Sequence, residues 1–220
     1  MNNVIKFVHR YLAIGTDDCA KLGTPTILIN NAGIVNGKPL LSLEPQAIKR
    51  NFNVNLVSHF YTIQAFLPAM LQRRDGGTIV TVSSVLGQLG ASHLSDYTAA
   101  KAGLIAMHTS LKQEIAAMAN SLDAPAGAQS IRTILVKPGQ LSTPLFEGVE
   151  TPSSFFGPVV PPVYLAKKIV EMIDGGKNGV IAEPFYARYI EWMSVLPYGL
   201  QRIARWASGV DKAMSGFGIR

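Results

Sequence analysis

Three largely apolar, β-branched runs, each closed by a turn of small or polar residues, constrain this chain more than any other feature. Thr26-Ile27-Leu28-Ile29 stops at Asn30-Asn31-Ala32-Gly33, Gly77-Thr78-Ile79-Val80-Thr81-Val82-Ser83-Ser84 ends on its two serines, and Ile131-Arg132-Thr133-Ile134-Leu135-Val136 stops at Lys137-Pro138-Gly139. Runs without polar alternation are expected of strands buried on both faces, the condition of a parallel sheet. Gly179-Val180-Ile181-Ala182 is a shorter, weaker fourth. The stretches 45–73, 94–120 and 162–174 between them have helical length and patterning. Strand, helix, strand at these lengths predicts right-handed βαβ units and an α/β fold with a parallel sheet flanked by helices.

Composition narrows the function classes. Of 220 residues, 48% are hydrophobic and 15% charged, which excludes a disordered chain. The net charge of +6 requires no nucleic-acid partner, and none is expected. No apolar run reaches the roughly 18 residues of a spanning helix, and no secretory signal is read in the first fifteen. The single cysteine, Cys19, makes neither an internal disulfide nor a cysteine-based zinc site. His9, His59, His93 and His108 lack metal-ligand spacing, so no metal is expected. His93, between Ser84 and Tyr97, is a candidate substrate contact. Residues 1–185 read as one domain and 186–220 as an amphipathic tail of it. The turn-rich stretch 143–162, about 20 residues, has the length of a functional loop.

Parallel α/β sheets bind ligands at the carboxyl ends of their strands, so the residues just after each run carry the candidate chemistry. Tyr97 and Lys101, at i and i+4 on one helix face, pair a phenol with an ammonium. That proximity favours the phenolate and brings tyrosine into use as an acid or base. By itself the pair is also an ordinary solvated face. Ser84 at a strand end suits the holding of a carbonyl oxygen, or simply a helix cap. Asn30-Asn31-Ala32-Gly33 allows a ligand close to the backbone, or is an ordinary turn. Asn55, within a helical stretch, is a poor helix former in need of a reason.

Together these residues resemble the short-chain dehydrogenases/reductases over roughly 20–185. The resemblance rests on Asn30-Asn31-Ala32-Gly33, Asn53-Val54-Asn55, Ser83-Ser84, Tyr97-x-x-x-Lys101 and Pro138-Gly139-x-Leu141-x-Thr143, in that order. Gly37-Lys38, His59-Phe60, Ala65-Phe66-Leu67-Pro68-Ala69-Met70 and His108-x-Ser110-Leu111-x-x-Glu114 are similar to the retinol and 17-beta-hydroxysteroid dehydrogenase branch. The resemblance implies a Rossmann-like sheet and an NAD- or NADP-dependent oxidoreductase that interconverts a lipophilic alcohol with its ketone or aldehyde. It implies that Tyr97 is the general acid/base, that Lys101 binds the nicotinamide ribose and lowers the pKa of Tyr97, that Ser84 orients the reacting oxygen, and that Asn55 holds a water. Asn31, Ala32 and Gly33 would lie against the adenosine half of the cofactor, and Pro138, Gly139, Leu141 and Thr143 would receive the carboxamide end.

The family's phosphate-binding Thr-Gly-x-x-x-Gly-x-Gly is not found ahead of Asn30. Against that pattern the fold is expected to be N-terminally truncated, with the first three strands missing and the strand at 26–30 left as an apolar edge, covered by a helix within 4–20. The chain is accordingly expected to be a fragment of a longer enzyme or, alternatively, a non-catalytic remnant acting through dimer or membrane contacts. The family implies a homodimer through 45–73 and 94–120. In the tail, five cations against two acids give +3, and Leu200, Ile203, Ala204 and Ala207 form an apolar stripe near Trp192 and Trp206. That combination suits a membrane surface contacted through 186–210, which the branch places on the endoplasmic reticulum or lipid droplets; otherwise the protein is expected to be cytoplasmic.

Overall fold

The computed structural model describes residues 23–143, 145 and 158–208. Four parallel strands lie side by side in chain order: β1 (Ile27–Asn30), β2 (Gly77–Val82), β3 (Ile131–Pro138) and β4 (Gly179–Glu183). Between β1 and β2 run α1 (Pro45–Phe52) and α2 (Ser58–Gln72), joined without interruption by a π turn at Asn53–Val57. α3 (Ser95–Ala119) links β2 to β3, α4 (Pro162–Asp174) links β3 to β4, and α5 (Tyr198–Ser208) follows. Strands and helices stand where the periodicity puts them, with ends moved by a residue or two. β3 runs on through Pro138 because Lys137 and Pro138 pair with Ala182 and Glu183 of β4.

Alternation of side chains in register divides the sheet into two faces. Ile79 and Ile131 point to one side and join Ile63, Leu67, Met70, Leu104, Leu111 and Ile115 of α2 and α3. Val80, Val82, Ile134, Val136 and Ile181 point to the other, where Leu165 of α4 covers them. β1 differs. Its Ile27 and Ile29 lie on the α4 side of the sheet but are 45% and 49% exposed, since α4 does not reach them. Among the described residues β1 pairs with β2 alone. The apolar edge expected from the sequence is therefore present, while the covering helix expected within 4–20 lies outside the described residues.

Two ion-paired groups fasten the far end of the sheet. Buried Glu183 accepts from Lys168 of α4 and from Arg188, joining α4, β4 and the turn after it. Lys137, its side chain only 4% exposed, pairs with Glu191 in the 3-10 segment Ile190–Val195. The long 143–162 stretch falls mostly outside the described residues, but its two ends meet: Leu141 bridges to Val160, whose N–H donates to the Gln140 carbonyl at 2.8 Å. No described helix is long and apolar enough to cross a membrane.

Candidate active site

The carboxyl ends of β1, β2 and β3 lie on one rim, and the start of α3 comes down onto it. Ser84 follows β2 in extended backbone and caps the short turn Val85–Gly87, its Oγ accepting from the Leu86 N–H at 3.1 Å. The capping and site readings of this serine thus hold at once, because the same oxygen contacts the Tyr97 hydroxyl and lies 3.4 Å from the Pro138 carbonyl. Tyr97, in the first turn of α3, is 3% exposed and packs with Leu94, Val35, Leu86 and Ala91. One turn on, Lys101 is equally buried; its Nζ donates to the Val82 carbonyl at 3.0 Å and lies 5.7 Å from the centre of the Tyr97 ring. Ser83 stitches the same strand end to the helix, donating to the Lys101 carbonyl at 2.8 Å.

Asn55 occupies the π turn, a local widening of the helix often found at functional positions. Fully buried, it clasps the loop after β1 at both groups of one residue: its Oδ1 accepts from the Ile34 N–H and its Nδ2 donates to the Ile34 carbonyl, each at 2.8 Å. Its Nδ2 also donates to Asn51 Oδ1 at 2.8 Å. The amide is engaged in holding this loop, with both Nδ2 hydrogens donated and Oδ1 accepting from Ile34. Gly33 lies where that loop meets the site: a Cβ there would stand 3.2 Å from Asn55 Oδ1 and 3.7 Å from Lys101 Nζ.

Burial, not charge, dominates the titration of the pair. Desolvation pushes the Tyr97 phenol up to about 12, against a smaller opposing effect of its Ser84 hydrogen bond. Desolvation likewise brings the Lys101 ammonium down to about 8. The sequence expectation that Lys101 lowers the pKa of Tyr97 is corrected here. Lys101 Nζ stands 5.7 Å from the ring centre, and the cost of burying a phenolate sets the direction of the Tyr97 shift.

The other expected residues are distributed along the rim. Asn31 and Ala32 are exposed and Gly33 half-buried. Pro138 and Gly139 are buried, and the Gly139 N–H donates to the Glu183 carbonyl at 2.6 Å. Leu141 and Thr143 are half-buried beyond them. His93 is half-buried in the left-handed region at φ 63°, a conformation that costs a non-glycine residue energy and concentrates at functional sites. Sequence reasoning missed Asp96 and Asn36. The buried Asp96 carboxylate accepts from the Tyr97 N–H at 2.8 Å and from Asn36 Nδ2 at 2.6 Å, so the β1 loop is tied to the residue before Tyr97. An acidic residue in the first turn of α3 was the available signal; nothing in the chain marks Asn36 as its partner. Tyr186 was also missed: a Cβ at Gly139 would lie 2.7 Å from its hydroxyl. Among the described residues no group of three or more His, Cys, Asp or Glu is placed to hold a metal.

The sequence model of the short chain dehydrogenase family matches residues 17–153. The chain belongs to that family. Similar short-chain dehydrogenases include an uncharacterized oxidoreductase of Saccharomyces cerevisiae, 36% identical over 84% of this chain and 54% of its own length. Human retinol dehydrogenase 10 is 34% identical over 90% of the chain and 56% of its own length. Human epidermal retinol dehydrogenase 2 is 36% identical over 90% and 61%. The chain spans roughly half to three-fifths of the length of the curated relatives it matches. A gluconate 5-dehydrogenase from Burkholderia cenocepacia, solved with NADP and tartrate, superposes with a TM-score of 0.65 at 22% identity over 78% of this chain and 67% of its own. A short-chain dehydrogenase from Streptomyces avermitilis gives 0.67 at 22% identity over 93% and 78%. Both share the fold. Short-chain dehydrogenases use NAD or NADP.

Residues of this chain fit the nicotinamide half of such a cofactor. A buried ammonium has three hydrogens to donate, and among the described residues Lys101 Nζ donates one, to the Val82 carbonyl. The space that a Cβ at Gly33 would fill borders that nitrogen.

Proposed function

We propose that the chain carries the reaction half of an NAD- or NADP-dependent oxidoreductase that interconverts a lipophilic alcohol, retinoid- or steroid-like, with its ketone or aldehyde. The observation that carries this reading is the buried convergence of Ser84, Tyr97 and Lys101 at the ends of β2 and β3. When bound, the nicotinamide supplies or accepts the hydride. Tyr97 then holds or takes the proton at its phenolic oxygen, which the raised pKa keeps protonated in the free protein. Ser84, already in contact with that oxygen, orients the substrate oxygen beside it. Lys101 would direct to the ribose the N–H groups that Val82 does not use. Leu86, Leu89, Tyr186 and Met193, partly buried against Val85, Ala182, Ala187 and Ile190, offer an apolar surface in the segments after β2 and β4 that suits a lipophilic substrate. The similarity to retinol dehydrogenases supports the same substrate class.

Two surfaces bear on partners. A second copy is proposed to dock through α2 and α3, whose outer sides border an apolar groove of about 790 Å³ lined by Phe60, Leu67, Met107 and Leu111. Attachment to a membrane surface, endoplasmic reticulum or lipid droplet, is proposed through 186–210, where Trp192, Val195, Leu200 and Ile203 are exposed beside Arg188 and Arg202. The competing reading is a non-catalytic remnant that works through these two surfaces. The apolar groove on α2 and α3 and the exposed apolar residues of 186–210 are what favour it. Titration of the 220-residue chain with NADH and NADPH, read by energy transfer from tryptophan, separates the two. Micromolar binding, with turnover of retinol or a steroid that is lost in Tyr97→Phe, is the expected result; a folded chain that binds neither nucleotide at millimolar concentration favours the remnant.

A further inference from the structure

The chain after β4 returns to the rim that carries Ser84 and meets it at three places. Pro184 and Tyr186 close on Gly139, where a Cβ would lie 2.8 Å from Pro184 Cδ and 2.7 Å from the Tyr186 hydroxyl oxygen. Ala187 and Ile190 are buried in one apolar cluster with Val85, the residue after Ser84. Glu191 then pairs with Lys137, the residue before Pro138. Ser84 is held between the last two contacts. Its Oγ donates to the Pro138 carbonyl at 3.4 Å and accepts from the Leu86 N–H at 3.1 Å. A displacement of Pro138 or of the Val85–Gly87 turn therefore moves the hydroxyl with it.

Of these contacts the ionic one has direction. Apolar burial would hold Ala187 and Ile190 against many arrangements of the rim, because the hydrophobic effect is non-directional. A charge-assisted hydrogen bond fixes one arrangement. The Lys137 side chain is 4% exposed and that of Glu191 58% exposed, so the segment after β4 brings its carboxylate to an ammonium already buried in the end of β3. A buried ammonium is costly unless an opposite charge reaches it, and among the described residues Glu191 is the carboxylate paired with Lys137. The same carboxylate accepts from the side chain of Gln88, the residue that ends the turn begun by Ser84. One exposed glutamate thus ties the strand end on one side of the serine to the turn on the other.

We propose that Glu191 is a positioning residue for Ser84, the latch through which the segment after β4 sets the place of the serine hydroxyl by way of Lys137 and Pro138. The inference rests on Ser84 and Tyr97 forming the site, but its test needs neither nucleotide nor turnover. In the 220-residue chain labelled with carbon-13 at tyrosine Cζ, NMR follows the Tyr97 resonance, identified by its loss in Tyr97→Phe. Ser84→Ala moves that resonance by removing the contact between the two hydroxyls. Glu191→Ala and Lys137→Met each move it in the same direction, by about half as much. Glu191→Gln, whose amide oxygen still accepts from Lys137, restores most of the wild-type position. In the Ser84→Ala background none of the three variants moves it further, which a merely structural role would not produce. If Glu191→Ala, which strands a buried ammonium, does not fold, Lys137→Met opens the same joint without a stranded charge and decides. A Tyr97 resonance that ignores both Glu191 and Lys137, or that moves equally with and without Ser84, overturns the proposal. The coupled shifts in a chain that binds neither NADH nor NADPH support it while refuting the proposed dehydrogenase activity.

Discussion

At the scale of single residues, the site runs on the cost of burying charge. Lys101 titrates near 8 in the folded chain and near 10.5 when unfolded. Below about pH 8 the fold has to hold a buried ammonium. Between 8 and 10.5 the unfolded chain binds the extra proton, so this residue's cost to stability fades as pH rises. Lys101→Met should therefore stabilise the protein at pH 7, by about 1–3 kcal/mol, and gain nothing at pH 11. Urea denaturation at the two pH values checks this, with turnover lost at both. His59 and His108 act in the same direction, in a lower pH window. Burial brings each to about 4, and His108 spends its Nδ1 on a 3.0 Å hydrogen bond with Thr81. Unfolded, they titrate near 6.5 and bind protons that the native state refuses. Stability is then full above 6.5 and falls as pH drops toward 4, by about 1–3 kcal/mol for each histidine. The urea midpoint should track that fall, and His108→Asn should remove part of its slope.

At the scale of elements, the π turn decides how α3 meets the rest of the site. Asn53–Val57 carries Asn55 inward to the β1 loop and Leu56 against α3, where Gly103 allows the approach. A Cβ at Gly103 would lie 2.8 Å from Leu56 Cδ2. Gly103→Ala should cost about 1–3 kcal/mol by overpacking. Leu56→Ala, which empties the same space, should make the double variant more stable than the sum of the two single losses. A thermal-melt double-mutant cycle measures this, and strict additivity would mean that the two elements do not press on each other. Sequence reasoning anticipated the strand ends because a buried parallel strand must be apolar throughout and must stop at a turn. It identified Asn55 as anomalous in a helix without the reason, since a π turn depends on which carbonyl each N–H reaches and no residue pattern encodes that.

At the scale of the whole molecule, the two faces of the sheet are unequally served. α2 and α3 cover one face and leave Leu28 of β1 half-buried, whereas α4 covers β2 to β4 and leaves Ile27 and Ile29 of β1 in the open. The outward groove on α2 and α3 is the second apolar surface, with Phe60 44% exposed at its side. If a second copy docks there, Phe60→Glu places a charge in the joint and shifts sedimentation from dimer to monomer without altering far-ultraviolet circular dichroism. A wild-type chain that sediments as a monomer at high concentration removes the dimer reading.

The α/β class, the four strands, the three crossover helices and the membership of Ser84, Tyr97 and Lys101 in one site were readable from residue order, because periodicity and strand-end chemistry are local properties. The titration of the site was not. Whether an ammonium lowers a neighbouring phenol depends on which part of the ring it faces and how much water remains, and both follow from α3 settling onto β2. Asp96 with Asn36, sixty residues apart, and Asn30 with Thr62 are likewise products of packing. Each is unremarkable in the chain, and each acquires meaning only when the sheet brings its partner within reach and excludes the solvent that would otherwise satisfy it.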